Sequence, residues 1–406
     1  MFDTGNIAFM LVATSLVMLM TPGLSFFYGG LVGRKNVLSI MIQSFVSMAI
    51  VTIIWFAVGY SLSFSGDVGG VIGNLNLAFL RGITLETAFP GNPTIPLWVF
   101  IVYQMMFAII TPALITGAFA NRVRFKAYLL FLVAWLFLVY FPLAHMVWGG
   151  GIFAQWGIKD FAGGLVVHAS AGWAALAAVF FVGRRGVQER GPHSIPLVAL
   201  GTALLWFGWY GFNAGSQLNV DSVTVLAFLN TELAASVAAF TWLIIAWLFE
   251  RKPKFVGLLT GAIAGLATIT PAAGFVSPVS AVLIGFLAGG ICYLAVWYRK
   301  RMNWDDALDV WGVHGIGGVL GIICLGIVAN TAFNPAGTDG LLLGGAKFFG
   351  LQVLAVVLVS AWAFVFTYGM LWLINKITIV KVAKGVEEKG LDQMLHGELA
   401  YEEMAD

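Results

Sequence analysis

Long apolar runs alternate with short polar connections along the whole chain. An α-helix needs about 20 apolar residues to cross a bilayer, and we place eleven such runs at 6–32, 37–61, 96–120, 125–145, 161–182, 195–215, 221–249, 255–273, 278–298, 307–329 and 345–375. The longest connection, 62–95, is rich in Gly and Pro. The pattern predicts an all-α integral membrane protein with eleven transmembrane helices, multi-pass in the cell membrane (the inner membrane if the source is Gram-negative).

The amino-acid composition supports this class and argues against other classes of protein. Of 406 residues, 60% are hydrophobic and 10% are charged, whereas soluble proteins have about 25% charged residues. No basic block is interleaved with exposed aromatics, so we expect no nucleic-acid partner. The two cysteines, Cys292 and Cys324, lie in apolar runs and form neither a disulfide framework nor a metal-binding spacing. We expect membrane lipids around the chain, and neither a metal nor a cofactor.

The basic residues predict the orientation of the helices. All but three of the 21 Lys and Arg fall in alternate connections and in the tail, the exceptions being Arg81, Lys159 and Lys347. Basic connections stay on the cytoplasmic side, so the N-terminus is predicted outside and the C-terminus inside. The first run lacks the basic start of a secretory signal, and we expect it to be retained.

Two histidines suggest an internal repeat. His168 in "VVHASAG" lies in the fifth run, and His314 in "VWGVHGIGG" lies in the tenth. Two halves of five helices each, at about 6–182 and 195–329, would have opposite topology. We therefore predict an inverted repeat, with the working site at the interface of the halves. We expect the helix 345–375 to complete a membrane domain over 1–375, and 376–406 to form a cytoplasmic tail.

Ionisable residues inside spans are costly and are functional hypotheses by default. His168 and His314 meet this criterion, with Asp160 at the outer start of the fifth run and Asp309 near the inner start of the tenth. The simpler interpretation is a pair of structural imidazoles hydrogen-bonded between helices.

Three aromatic residues, Phe107, Trp148 and Phe212, have polar neighbours in the sequence. Their neighbours are Gln104, the glycines 149–151, Asn213 and Ser216. Ring faces attract a desolvated cation by up to about 2 kcal/mol, and a hydroxyl oxygen accepts its N–H bond. Such a group suits a small cation, although a packed aromatic belt has the same spacing.

The sequence resembles the ammonium transporter family, in its Amt branch of bacterial or archaeal type. The similar stretches are "FFYGGLVGRKN" in the first run, "DFAGGLVVHASAGWAALAAVFFVGRR" at 160–185, "WFGWYGFNAGS" in the sixth and "DVWGVHGIGG" in the tenth. They follow the family's order over nearly the whole chain. The related Rh branch typically lacks the Trp and Ser of the outer site, and this chain has both.

The resemblance implies a role for each matching residue. Phe107, Trp148 and Ser216 would recruit ammonium at an outer site. Phe107 and Phe212 would close the pore below it. His168, His314 and Trp209 would line a hydrophobic conduit, with Asp160 as electrostatic support. Apart from the resemblance, we expect Asp309 to give electrostatic or structural support, because it is an ionisable residue near the inner start of the tenth run.

The resemblance also implies a function and partners. The protein would be a homotrimeric transporter and not an enzyme. It would recruit the ammonium ion, deprotonate it and conduct ammonia, with or without a separately relayed proton. The tail resembles the family's C-terminal segment that meets a PII-type signalling protein, through Gly390, Leu391, Asp392, His396, Gly397, Glu398 and Tyr401.

The residues also bear on three rival functions. An intramembrane enzyme would need a nucleophile or metal motif, which the sequence lacks. A water channel is suggested by Asn334–Ala336, but that motif occurs here once and outside the runs. A sensor that binds ammonium and conducts little would keep the same pore residues, and the sequence leaves this alternative open.

Overall fold

The computed structural model describes residues 1–187 and 191–401. Within them, ten helices are long and apolar enough to cross a membrane, with α8, Phe255–Ile269, as a shorter apolar helix between the seventh and eighth. The helices are numbered in chain order, and α8 takes its place in that numbering. The ten long helices are α1 Thr4–Leu31, α2 Arg34–Phe64, α3 Leu97–Ile115, α4 Phe125–Trp156, α5 Gly164–Val182, α6 Ile195–Gln217, α7 Ser222–Glu250, α9 Pro278–Arg301, α10 Trp311–Val328 and α11 Ala346–Ile377. The predicted all-α membrane class is confirmed at this level.

The remaining elements are small. A two-stranded hairpin, Ala88–Phe89 with Asn92–Pro96, lies in the long connection between α2 and α3. A short helix, α12 Lys384–Lys389, lies in the tail. Outer and inner denote the two ends of the bundle in the predicted orientation.

Small residues let the helices approach closely. α1 packs along α6, and a Cβ on Gly30 would lie 2.6 Å from the Ser194 carbonyl oxygen. α8 fits against α7 in the same way, since a Cβ on Gly265 would lie 2.5 Å from the Ala234 oxygen. Close backbone contact of this kind replaces the hydrophobic driving force that is weak between helices in lipid.

α5 and α10 both begin with a π-helical turn. The turns are Gly164–Ala169, which contains His168, and Trp311–Gly315, which contains His314. The helices cross at glycines, because a Cβ on Gly318 would lie 2.6 Å from the Ala169 nitrogen. π-turns are rare and occur often at functional sites, and here they aim both rings at the crossing point.

The tail folds back onto the inner end of the bundle. The Asp392 carboxylate accepts hydrogen bonds from the Leu38 and Ser39 nitrogens at 3.0 and 2.7 Å. Glu387 Oε2 accepts from the Gly186 nitrogen at 2.5 Å, and the Tyr401 hydroxyl lies 2.9 Å from His193 Nε2. The segment is therefore docked over most of its described length; residues 402–406 of the predicted tail lie outside the described residues.

Candidate functional site

His168 and His314 lie side by side in the interior. Their Nδ1 atoms are 3.3 Å apart, and the rings are stacked with centroids 5.3 Å apart at 21°. One Nδ1 must donate and the other accept, so the two tautomers are coupled. Among the described residues, His168 Nε2 is buried without a hydrogen-bond partner. That nitrogen is free to bond a small polar molecule.

The space beside the two rings is narrow and apolar. A cavity of about 10 Å³ lies between His168, His314, Trp209 and Phe212, and its other walls are Met20, Leu24, Phe27, Ile110, Leu114, Val167, Leu205 and Ile263. A cavity needs about 10–15 Å³ of such volume to hold one water molecule. A hydrated ion therefore does not fit here without movement of the walls.

Trp209 forms one wall of this space. Its ring stacks on His168 with centroids 5.4 Å apart, and its Nε1 donates to Thr270 Oγ1 at 2.9 Å. Because the indole N–H is satisfied by Thr270, only the apolar part of the ring is left to face the conduit. Thr270 is a supporting residue that sequence reasoning missed.

Two phenylalanines cover the outer end of this space. The rings of Phe107 and Phe212 are 4.3 Å apart between centroids and tilted by 32°, and both side chains are about 1% exposed. Phe212 also stacks on His168 with centroids 5.9 Å apart. Rotation of at least one ring is needed before anything passes from the outer side to the histidines.

An open cavity lies on the outer side of the two phenylalanines. It has a volume of about 470 Å³ and is lined by Trp148, Ser216, Gln104 and other residues. Trp148 stands edge-on to Phe107 with centroids 6.1 Å apart, and its Nε1 donates to the Asp160 carbonyl oxygen at 2.9 Å. The Ser216 hydroxyl donates to the Phe212 carbonyl oxygen at 2.9 Å, which leaves its oxygen able to accept.

A second open cavity lies at the inner end. Its volume is about 270 Å³, and its lining includes His314, Tyr28, Arg299 and Asp309. His314 thus lines both this cavity and the narrow space. The two open cavities are separated by the phenylalanine pair and the histidine pair.

Asp160 holds the start of α5. Its buried carboxylate accepts four backbone N–H bonds, from Gly163, Gly164, Leu165 and Val166 at 2.7–3.3 Å. Burial raises the pKa of this carboxyl, and the four N–H groups oppose that rise. Its contacts are with the backbone that carries His168, eight residues further along.

Asp306 performs the same structural task for α10, a role that sequence reasoning missed. Its carboxylate accepts from the Val310 and Trp311 nitrogens at 3.1 and 2.8 Å, and burial raises its pKa to about 6. The sequence carries a signal for it, because Asp306 precedes His314 by the eight residues that separate Asp160 from His168. The predicted supporting residue, Asp309, instead forms an ion pair with Arg299 at the inner cavity.

Two further ionisable residues in the helices were missed. His145 is fully buried at the outer end of α4, three residues before Trp148. Glu232 lies well inside α7 and accepts hydrogen bonds from Trp206, Tyr210 and Ser236. Both lie within apolar runs, where an ionisable residue is itself a signal.

A bundle of membrane-length helices, with a closed apolar passage between two open cavities, defines a membrane transport protein. Comparison with known proteins gives the family. The model of the Ammonium Transporter Family matches residues 8–401. The chain belongs to the ammonium transporter family, which comprises membrane transporters rather than enzymes.

Relatives and solved structures agree with this family. The "Ammonium transporter" of Bacillus subtilis is 44% identical and "Ammonium transporter Amt1" of Archaeoglobus fulgidus is 45% identical, each over 98% of this chain and 99% of the relative. The Saccharomyces cerevisiae Mep2 crystal structure superposes with a TM-score of 0.87 at 34% identity, covering 95% of this chain and 88% of Mep2. A structure named "Sensor Amt Protein" superposes with a TM-score of 0.87 at 31% identity, over 96% and 98% of the two chains. These findings support ammonium transport.

Proposed function

We propose that the protein recruits ammonium at the outer cavity, deprotonates it near the phenylalanine pair and conducts ammonia past the two histidines. The observation that carries this proposal is the apolar space of about 10 Å³ around the His168–His314 pair. A desolvated cation in such a space loses far more free energy of hydration than the walls return. Neutral ammonia does not meet this penalty.

Recruitment rests on the face of Trp148 and the oxygen of Ser216. Both residues line the outer cavity, and the Phe107 ring is in edge contact with Trp148. Aromatic faces attract a partly dehydrated cation. The Ser216 oxygen, which also lies 3.2 Å from the Tyr103 hydroxyl, has two lone pairs and accepts one of the cation's N–H groups. Potassium satisfies the first interaction but has no proton for the second.

The histidine pair accounts for discrimination against potassium. Ammonium and potassium are similar in size and charge, but only ammonium becomes neutral by giving up a proton. His168 Nε2 is available to bond ammonia, and the shared Nδ1–Nδ1 contact gives a proton a route between the rings. Whether net flux carries charge depends on the fate of that proton.

Two experiments on the purified protein test this function. Proteoliposomes on a solid-supported membrane are pulsed with ammonium and then with potassium, and entrapped pH dye reports ammonia entry. We expect a response to ammonium and none to potassium. Equal responses to both ions, or no response to ammonium in either the current or the pH dye, would refute the proposal.

A sensor that binds ammonium and conducts little is the alternative. The likeness to the structure named "Sensor Amt Protein" is the specific observation in its favour. A sensor would bind ammonium, seen as protection of the protein against heat, without uptake into liposomes. Uptake at transporter rates would exclude it.

The proposed topology has eleven crossings, with the N-terminus outside, the C-terminus inside and two inverted halves. Supporting it are the paired Asp–His spacings, the paired π-turns and the apolar α8 at the predicted eighth run. Cysteine labelling from each side of intact cells, at positions in the connections, would test the orientation.

The proposal extends to assembly and regulation. A homotrimer would cover apolar side chains that the single chain exposes, and the docked tail, 376–401, would act as a regulatory segment for a PII-type protein at the inner face. Pull-down from membranes with and without ATP and 2-oxoglutarate tests the second idea. No binding in either state would count against it.

A further inference from the structure

His145 is a buried titratable residue for which the proposed transport steps have no use. Its ring lies at the outer end of α4 with both nitrogens in contact with acceptors. Nδ1 is 3.1 Å from the Ser63 carbonyl oxygen, and Nε2 is 3.0 Å from Asp67 Oδ1. A carbonyl and a carboxylate accept only, so both bonds form together when the ring carries two protons.

Asp67 connects this ring to the outer connection 62–95. The carboxylate also accepts from the Gly70 nitrogen at 2.8 Å, which closes the turn 67–70. The hydrogen bond from His145 is the largest cause of the lowered pKa of Asp67, whose side chain is 42% exposed. The Gly70 carbonyl oxygen then accepts from the Ile152 nitrogen at 2.8 Å. The turn is thus joined to both ends of the segment 145–152.

The glycines 149–151 let the two segments meet. A Cβ on Gly149 would strike the Ser63 oxygen and would lie 2.7 Å from His145 Nδ1. A Cβ on Gly151 would lie 2.5 Å from the Gly70 oxygen. The His145 carbonyl oxygen accepts from the nitrogens of both glycines at 3.0 Å. The absence of side chains at the glycines 149–151 therefore gives the two segments the room to make this contact.

Trp148 lies inside the segment that the contact holds. Its neighbours Val147 and Gly149 line the outer cavity with it, and its ring has one further anchor, the Asp160 carbonyl oxygen. The backbone of Trp148 is fixed from one side by His145 and from the other by the turn 67–70.

We propose that the His145–Asp67 pair is a positioning element for the outer recruitment site, setting Trp148 against the cavity by pinning the turn 67–70 to α4. The pair itself does not touch substrate. The inference rests on the proposed function, because it assigns Trp148 a role in recruitment. Loss of the His145–Asp67 pair weakens binding of ammonium and leaves the passage past the histidines unchanged.

The test is the kinetics of labelled-ammonium uptake into proteoliposomes by the full chain. Asp67→Ala removes the exposed partner and, with it, a hydrogen bond to a charged group. We therefore expect KM to rise about fivefold, with the maximal rate within about twofold of wild type. His145→Ala should behave alike. Asp67→Asn is the rescue, since its amide donates to an unprotonated Nε2 while its oxygen keeps the Gly70 bond. We expect its KM within about twofold of wild type.

Glu86→Gln is the matched control, an exposed carboxylate of the same connection, and should change neither constant. An unchanged KM in Asp67→Ala, or a maximal rate that falls in step with KM, overturns the inference while the proposed function stands. An Asp67→Asn variant as impaired as Asp67→Ala also overturns it, because charge and not position would then matter. Wild-type protein without uptake overturns the proposed function as well. If His145→Ala fails to fold, the two Asp67 variants decide between these outcomes.

Discussion

The Nδ1 atoms of His168 and His314 approach to 3.3 Å across a helix crossing, although the residues are 146 positions apart. The contact makes the two rings one unit, in which the tautomer of one fixes the tautomer of the other. Each ring stands eight residues after a buried aspartate that caps its own helix. The same arrangement of a capping aspartate and a histidine thus occurs at the start of both α5 and α10.

Replacing Trp148 by Leu tests recruitment. Loss of the ring face removes a cation–π attraction of about 2 kcal/mol, so KM for ammonium should rise up to about thirtyfold, with smaller effects on rate and none on selectivity over potassium. Uptake kinetics in proteoliposomes measure this. Trp156→Leu, at a partly exposed tryptophan outside the described cavities, is the control. A Trp148→Leu variant with unchanged KM would remove the basis for an outer site.

Gly318→Ala tests the crossing of α5 and α10. The added methyl would lie 2.6 Å from the Ala169 nitrogen and 2.9 Å from the His168 Cβ, and overpacking of this kind costs about 1–3 kcal/mol. We expect a lower unfolding temperature in detergent and reduced uptake. Gly369→Ala in α11 meets no atom within 4 Å and should be neutral or slightly stabilising. Equal behaviour of the two variants would contradict the crossing.

Asp306 gives a pH dependence with a definite sign. Its folded pKa, about 6, is above the unfolded value of about 3.9, so its contribution to stability is present below pH 4 and lost as pH rises through 6. The loss is about 3 kcal/mol. Asp306→Asn does not titrate, although it loses one N–H acceptor. Its unfolding temperature relative to wild type should therefore rise between pH 4 and pH 7, and a constant difference would contradict the burial effect.

Asp392→Ala tests docking of the tail. Without the carboxylate, the Leu38 and Ser39 nitrogens lose their acceptor, and faster hydrogen exchange is expected at 384–401 and at 37–40. The exposed Glu388→Gln in the same segment should leave exchange unchanged. Unaltered exchange in Asp392→Ala would mean that other contacts hold the tail.

Much of the fold is predictable because membrane spans obey a length rule. The apolar runs correspond to helices α1–α11 with boundary shifts of a few residues, and the largest difference is α4, which continues to Trp156 although the predicted run ends at 145. The helical path breaks at Gly149–Gly151 and resumes at Ile152–Trp156, where the Ile152 nitrogen donates to the Gly70 carbonyl oxygen of the turn 67–70, a contact that no local pattern encodes. The length rule likewise gives no prediction of the π-turns that contain His168 and His314.

The candidate site was predictable where residues match known motifs, and less so where partners are distant. The sequence predicts His168, His314, Phe107, Phe212, Trp148 and Ser216 as site residues. In the structure the five aromatic and imidazole rings form a continuous series of contacts, and Ser216 lines the same cavity as Trp148. Asp306, His145 and Glu232 were missed, since their partners are fixed by packing. The sequence nevertheless carries a signal for each: the repeated eight-residue spacing for Asp306, and an ionisable residue inside an apolar run for His145 and Glu232.

Ion selectivity of the two histidine variants tests the central claim most directly. His168→Ala and His314→Ala in liposomes are pulsed with ammonium and potassium, with His193→Ala, a histidine outside the passage, as the control. Because each alanine removes a partner of the proton and lets water enter the narrow space, we predict that both variants lose selective uptake, either by conducting neither ion or by admitting potassium. Ammonium uptake with unchanged exclusion of potassium in both variants would contradict the account.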